Sequence, residues 1–328
     1  MTFSRRTFLA ALGAVTAPAG AYEFPAGMRG DMAVFAERAT QKHGFAEGWV
    51  ESVLREATVQ PAVIRAVSSP GTARPWRAFR PVYLNRQRID GGVRFWRDNA
   101  GTLERAATEF GVPPEVMVSI IGVETIYGKQ TGTFRVLDAL VTLSFEVSSR
   151  AAYFQSELEE LLLLARDGVL DPSAARGSYA GAMGMPQFMP SSLRRYARDF
   201  DGDARIDLWR SAPDAIASVG NYLRAFGWRT GEDVVLRTGV ADRERVTEFV
   251  NRGAKPSLVR ADLDGAAAFT ERPLRQGETA ALFLFEGESG AEYWAGLDNF
   301  YAITRYNRSQ NYALAVWQLA RAIVEARG

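Results

Sequence analysis

Cysteine is absent from the 328 residues, and histidine occurs once, at His43. The first absence excludes disulfides, thiol nucleophiles, thiolate metal sites and acylation of an N-terminal cysteine. The second leaves serine–histidine hydrolysis or a multi-histidine metal centre hanging on one side chain, which sits among ordinary soluble-helix residues and reads as structural or solvent-facing. An excess of charge is also missing, with 39 basic side chains against 38 acidic ones. The chain therefore lacks an electrostatic footprint for nucleic acid, and an uncharged polymer is the more natural partner. No segment beyond the N-terminal stretch approaches an apolar run long enough to span a bilayer. What is present is ample apolar material, 47% of residues, in a chain long enough for two or three subdomains.

Ser4-Arg5-Arg6-Thr7-Phe8-Leu9 precedes an Ala-rich apolar run, and Ala19-Gly20-Ala21 reads as a small-residue cleavage site. This pattern predicts an export signal over residues 1–21, with the paired arginines pointing to the twin-arginine route. The mature protein is then expected to start near Tyr22 and to be soluble outside the cytoplasm. Helical spacing runs from Met32 to about Val67, with a break at Gln60-Pro61, and again from about Gly92 to Phe110. Phe79 to Tyr83, among Arg77, Arg80 and Pro81, reads as a loop. A further helix is expected at Tyr153–Arg166, with Glu157, Glu159 and Glu160 as its wet face, and another at Pro213–Phe226. Residues 233–298 alternate short apolar runs with Gly-, Pro- and Asp-containing turns, which predicts a small antiparallel sheet with a short helix near Val246–Arg252. A terminal helix turns Ala315, Val316, Leu319 and Ile323 inward.

Gly111 to Ile121 has proline in its first turn and then apolar residues on nearly every face, as a buried helix does. Glu124 follows as its only carboxylate after the first turn. Burial and the negative end of the helix dipole both oppose its ionisation, so its pKa is expected to be raised, as a proton-donating acid requires.

Residues 177–192 are glycine-rich and uncharged, the kind of backbone that approaches something closely; a tight packing loop is the plainer alternative. Asp199, Asp201, Asp203 and Asp207 then alternate with other residues like the first half of a calcium-binding loop. The match is partial. The glycine falls early at Gly202, Ala204 takes the usual turn position, and Arg210 stands where a bidentate glutamate is expected. Asp214 lies close enough to close the shell. A solvated acidic turn would leave the carboxylates repelling one another and is the weaker reading. Near the C-terminus, Tyr306, Asn307 and Tyr312 combine flat apolar faces with hydrogen-bonding tips, a surface suited to sugar.

Four segments in order, around Glu124, Ser178–Ser191, Asp199–Trp209 and Asn299–Gln318, together resemble the lytic murein transglycosylase B family, over roughly residues 30 to 325. The resemblance implies a mainly α (α+β) fold: a lysozyme-like catalytic core at 111–230, a helical domain from 22–110 joined by the C-terminal helix 300–328, and a small β subdomain at 231–299. It implies cleavage of the MurNAc–GlcNAc β-1,4 bond of peptidoglycan without water, by one glutamate acting as acid and then base to leave a 1,6-anhydro product. That role falls on Glu124, and no convincing second carboxylate accompanies it, whereas ordinary glycosidases need two. Ser178 and Gln187 match positions that hydrogen-bond the sugar, and Tyr306, Asn307 and Tyr312 match positions lining the cleft. Asp199, Asp201, Asp203, the main-chain carbonyl of Arg205 and Asp214 match the family's metal loop, implying structural calcium (or sodium) and no cofactor for the chemistry itself. Phe79 departs from an expected cleft tyrosine, keeping a ring to stack but losing the hydroxyl.

A second departure is that the export signal lacks the lipidated cysteine of membrane-anchored members, so a soluble periplasmic protein is expected, as a monomer. Its partners would be glycan strands, with cell-wall synthesis or division proteins as candidates. Two other readings stay open at this stage. One is a muramidase that uses water, pairing Glu124 with Asp138 or Glu146; the other is a non-catalytic peptidoglycan-binding scaffold.

Overall fold

The computed structural model describes residues 26–68, 74–147 and 150–328, so the expected export signal lies outside the described residues. Three helices come first, α1 (Ala26–His43), α2 (Trp49–Arg55) and α3 (Pro61–Ser68). Pro61 opens α3, where its missing N–H costs no helical bond. Next is α4 (Trp76–Tyr83), where the sequence suggests a loop. The prolines and arginines of this stretch mask a helical stripe: Trp76, Phe79 and Tyr83 bury one face. The helix expected from Gly92 starts earlier and is broken in two, α5 (Arg86–Asp98) and α6 (Ala100–Phe110), at Asn99. There the Asn99 side chain donates to the Phe95 carbonyl at 2.8 Å, competing with continuation of the helix. Then α7 (Pro114–Thr125) follows Gly111, a left-handed helix stop, and buries every residue from Val116 to Val123.

The middle of the chain holds β1 (Phe134–Arg135), α8 (Val136–Phe145), α9 (Ala151–Arg166), β2 (Arg176–Gly177), α10 (Pro190–Tyr196) and α11 (Ala212–Ala225). After it come β3 (Val235–Val240), α12 (Arg243–Thr247), α13 (Arg260–Gly265), β4 (Ala268–Thr270), β5 (Ala281–Gly287) and β6 (Gly290–Gly296). Two helices close the chain, α14 (Asp298–Tyr306) and α15 (Gln310–Arg327). The chain is mainly helical with small antiparallel sheets, as its pattern predicts.

The described residues form two compact units, one of 74–127 with 219–328 and one of 26–68 with 128–218, residues 148 and 149 aside. In the first, α15 packs on α7 and α5, turning in Tyr312, Ala315, Val316, Leu319 and Ile323. Its four strands run antiparallel in the order β4-β3-β6-β5. The β5–β6 hairpin keeps Leu284 opposite Tyr293 and Gly287 opposite Gly290, leaving Glu288 and Ser289 as a two-residue turn. Leu236, Leu263, Leu274 and Leu297 form a core on this sheet.

In the second unit α9 packs between α8 and α10. Here the expected wet face of α9 is corrected, because Glu157 and Glu159 are 3% and 7% exposed. Glu157 accepts from the Ser191 backbone N–H at 2.9 Å and its hydroxyl at 2.8 Å, holding the first turn of α10. Ser191 lies inside that helix, whose N-cap is Met189. Glu159 accepts from Lys42 Nζ at 2.7 Å and lies 3.0 Å from His43 Nε2. Burial opposes its charge, yet the Lys42 and His43 bonds hold its carboxyl below the ordinary value. His43 is thereby structural.

Candidate active site

Glu124 stands in the last turn of α7, a helix whose other side chains around it are buried. The carboxyl is half-buried, and burial pushes its pKa from an ordinary 4.5 up to about 7, against the lowering effect of a hydrogen bond from Tyr312. The Tyr312 hydroxyl, on α15, donates to Glu124 Oε1 at 2.6 Å. Glu124 Oε2 has no hydrogen-bond partner among the described residues. Tyr312 is wholly buried, and burial together with the Glu124 charge raises its pKa well above the ordinary value, so it stays a donor. No carboxylate contributes to the titration of Glu124.

The backbone leaving this helix is strained. Ile126 and Tyr127 have φ of 52° and 58°, left-handed conformations that cost about 1–3 kcal/mol each away from glycine and persist only where surroundings fix them. Here the surroundings are a socket. A Cβ on Gly91 would lie 2.6 Å from the Tyr127 ring, and one on Gly92 or Gly122 would lie 2.7 or 2.4 Å from its hydroxyl oxygen. That hydroxyl donates to the Arg88 carbonyl at 2.6 Å. Arg88, itself buried, donates from Nε to the Gly122 carbonyl at 3.1 Å and from Nη1 to the Val82 carbonyl at 2.8 Å. The turn that aims Glu124 is thus clamped by α5. The sequence reading missed Arg88; the Gly91-Gly92 pair inside a helix was the available signal.

Of the other expected residues in this unit, Tyr306 stacks on Tyr312 with ring centres 6.5 Å apart and planes 11° apart. Burial raises its hydroxyl pKa first, and the Glu124 charge adds to the effect. Asn307 ends α14, and its Oδ1 is buried with no partner among the described residues. An orphaned acceptor of this kind waits for a donor. Phe79 is 6% exposed and stacks between Trp76 at 6.2 Å and Tyr83 at 4.7 Å, a position in the wall of α4. Tyr83, not singled out from sequence, feels the Glu124 charge after burial as its main perturbation.

Ser178 and Gln187 lie in the second unit, in the glycine-rich loop. Backbone crowding explains the composition: a Cβ on Gly132 would meet the Gly177 carbonyl oxygen at 2.1 Å, and one on Gly177 the Ala182 oxygen at 2.2 Å. Ser178 Oγ accepts from the Ala182 N–H at 3.1 Å and weakly from Ala180, which leaves the hydroxyl proton to donate elsewhere. Gln187, at φ 51°, donates both amide hydrogens, to the Thr131 and Gly184 carbonyls at 3.1 and 2.9 Å. Its Oε1 is thereby fixed as an acceptor. Asp138 is in this unit too, and its carboxylate accepts from Thr58, Gln60 and Arg135. It is committed to folding.

The acidic loop brings Asp199, Asp201 and Asp203 together, with one oxygen of each within 4.8 Å of the others. Gly202 and Ala204 adopt φ of 82° and 66°, so the turn expected at one glycine is made twice. Backbone N–H groups of Gly202, Ala204 and Arg205 orient the carboxylates of Asp199 and Asp203. Asp214 is 1% exposed and accepts from the Phe200 and Asp207 N–H groups, both at 2.8 Å, tying the loop from beneath. Converging hard oxygen donors fit a cation such as calcium.

Residues 28–321 match the transglycosylase SLT domain family, and the chain belongs to it. Its relatives are lytic transglycosylases. It is 42% identical over 304 residues to the membrane-bound lytic murein transglycosylase B of Escherichia coli K12, covering 89% of this chain and 82% of that protein. The soluble lytic transglycosylase SltB1 of Pseudomonas aeruginosa superposes with a TM-score of 0.85 at 45% identity, over 91% of this chain and 99% of that one. The Escherichia coli lytic transglycosylase SLT35, solved in complex with calcium, gives 0.82 at 41% identity, over 90% and 93%. This chain is a peptidoglycan lytic transglycosylase with their fold.

Proposed function

We propose that Glu124 alone performs both proton transfers in non-hydrolytic cleavage of the MurNAc–GlcNAc β-1,4 bond. The observation that carries this is a half-buried carboxyl with its pKa near neutrality, one oxygen held by Tyr312 and the other unpartnered, with no carboxylate perturbing it. Protonated Glu124 gives its proton to the glycosidic oxygen as the bond to MurNAc C1 breaks. The resulting carboxylate takes the proton of the C6 hydroxyl while that oxygen closes onto C1. No water enters, and the product carries a 1,6-anhydro ring. SltB3 of Pseudomonas aeruginosa, 30% identical to this chain, was solved with NAG-anhNAM-pentapeptide, a ligand of that kind.

Ser178 as donor, Gln187 as acceptor and the orphaned Asn307 Oδ1 are assigned to sugar hydroxyl and acetamido groups, and Tyr306 to a sugar face. Phe79 keeps only a stacking role. Asp199, Asp201 and Asp203, with the Arg205 carbonyl, would hold a structural calcium ion; Asp214, expected from the sequence as a further ligand, has both oxygens accepting the Phe200 and Asp207 N–H groups and would shape the loop around the ion. The ion stiffens the fold and takes no step in the chemistry. The export signal supports action in the periplasm as a soluble enzyme, and no single helix among the described residues is long and apolar enough to cross a membrane.

Replacing Glu124 by Gln, isosteric but unable to donate or accept this proton, should abolish release of anhydro-muropeptides from sacculi while the circular dichroism spectrum is unchanged. Retained turnover would overturn the assignment.

A further inference from the structure

A cavity of about 690 Å³ opens in the first unit, walled by α4, β3, the β5–β6 hairpin tip and α15. Glu124, Tyr306, Asn307 and Tyr312 are not among its lining residues. On α15, Trp317 and Arg321 follow Tyr312 at spacings that put them on the far side of the helix from Glu124. Four guanidinium groups line the cavity, those of Arg77, Arg80, Arg237 and Arg321. None has an ion-pair partner among the described residues; Arg80 is steered by a 2.9 Å bond to Gln318, and Arg321 lies 5.9 Å from the centre of the Trp317 ring. Trp76, Trp294 and Trp317 supply flat walls. The indole N–H groups of Trp76 and Trp294 are buried with no acceptor among the described residues, and Trp76 is 1% exposed. Buried indole N–H groups ordinarily find a partner, and these two donors are left unsatisfied beside the cavity.

The chemistry of the lining selects the ligand. Arginine forks match carboxylates in a bidentate way and stack beside aromatic rings. Glu288, Glu292 and Glu325 line the same cavity, which disfavours a polyanion and suits a ligand that also carries an ammonium group. The volume is in the range of small-ligand pockets and suits a few residues of peptide, not a strand. We propose that this cavity binds a short zwitterionic peptide bearing at least two carboxylates. Such peptides branch from peptidoglycan, and identifying them as the source rests on the proposed function above.

Isothermal titration of the full chain with the tripeptide L-Ala-γ-D-Glu-meso-diaminopimelate should give saturable binding that weakens with added salt. The double variant Arg77→Ala/Arg321→Ala should lose about tenfold or more in affinity while cleaving peptide-free glycan strands at the wild-type rate. If that variant fails to fold, Arg321→Gln together with the salt titration of the wild type carries the test. Equal binding of L-Ala-L-Glu-L-Lys would keep the pocket as an acidic-peptide site and remove peptidoglycan as its particular source. No saturable binding, binding undiminished in the variants, or a loss confined to uncharged chitotriose would overturn the proposal. Peptide binding by a wild-type preparation that cleaves no strands would instead sink the functional reading and spare the pocket.

Discussion

Glu124 must hold a proton when substrate arrives and release it within the same turnover, so its environment has to balance two opposed requirements. Burial favours the acid, and the Tyr312 hydroxyl favours the carboxylate. Because the protonated form starts the reaction, activity should fall as pH rises through about 7. Tyr312→Phe keeps the ring and its stacking on Tyr306 but removes the donor. The carboxylate then loses its stabilising bond, its pKa rises further, and the alkaline limb of the pH–rate profile should move up by about one unit, with kcat lower by roughly tenfold. A profile that stayed in place, or moved down, would contradict this role for Tyr312. The importance of Glu124 was legible because one carboxylate stood alone in an apolar helix. Its partner was not, since the hydrogen bond joins residues 188 positions apart, and no local pattern encodes that distance. Tyr306, Asn307 and Tyr312 were legible only as a sugar-friendly set, and the structure adds what two of the polar tips do: the Tyr312 hydroxyl bonds Glu124, and Asn307 Oδ1 is left open.

At the scale of elements, the turn after α7 depends on a side chain filling space where three glycines leave room. Gly91→Ala would drive a methyl to 2.6 Å from a Tyr127 ring carbon. Overpacking of this kind costs about 1–3 kcal/mol, so the urea midpoint should drop and turnover should fall with it, Glu124 losing its aim. An unchanged midpoint would show that the socket is looser than described. Local spacing recovered α9, α11 and the terminal helix from their apolar stripes, and α7 from a proline-led run that is apolar on nearly every face. It failed at α4, where Pro75, Pro81 and the arginines imitate a loop although Trp76, Phe79 and Tyr83 bury one face. It failed again for Glu157 and Glu159, which look solvated on a helical wheel and are buried because Ser191, Lys42 and His43 come to them from other elements.

At the scale of the whole molecule, the first unit is assembled from 74–127 and 219–328, so its core is made by segments about a hundred residues apart in sequence. The antiparallel sheet and the helical majority follow from alternation and helical spacing; the pairing of α7 with α15 does not. The acidic loop gives this scale its prediction. Without a cation, Asp199, Asp201 and Asp203 repel one another across less than 5 Å, so chelation should lower the melting temperature by several degrees and added calcium should restore it. Turnover at temperatures well below the transition should be unaffected. A melting temperature indifferent to both treatments would remove the ion from the account.

The central claim, one glutamate and no water, is tested most directly by the mass of what the enzyme releases. Sacculi digested with the wild-type protein and analysed by mass spectrometry should yield muropeptides ending in 1,6-anhydroMurNAc, one water lighter than the reducing-end forms and with no oxygen label when digestion is run in oxygen-18 water. Reducing ends that carry the label would show that water is the nucleophile, and the single-glutamate mechanism would be wrong.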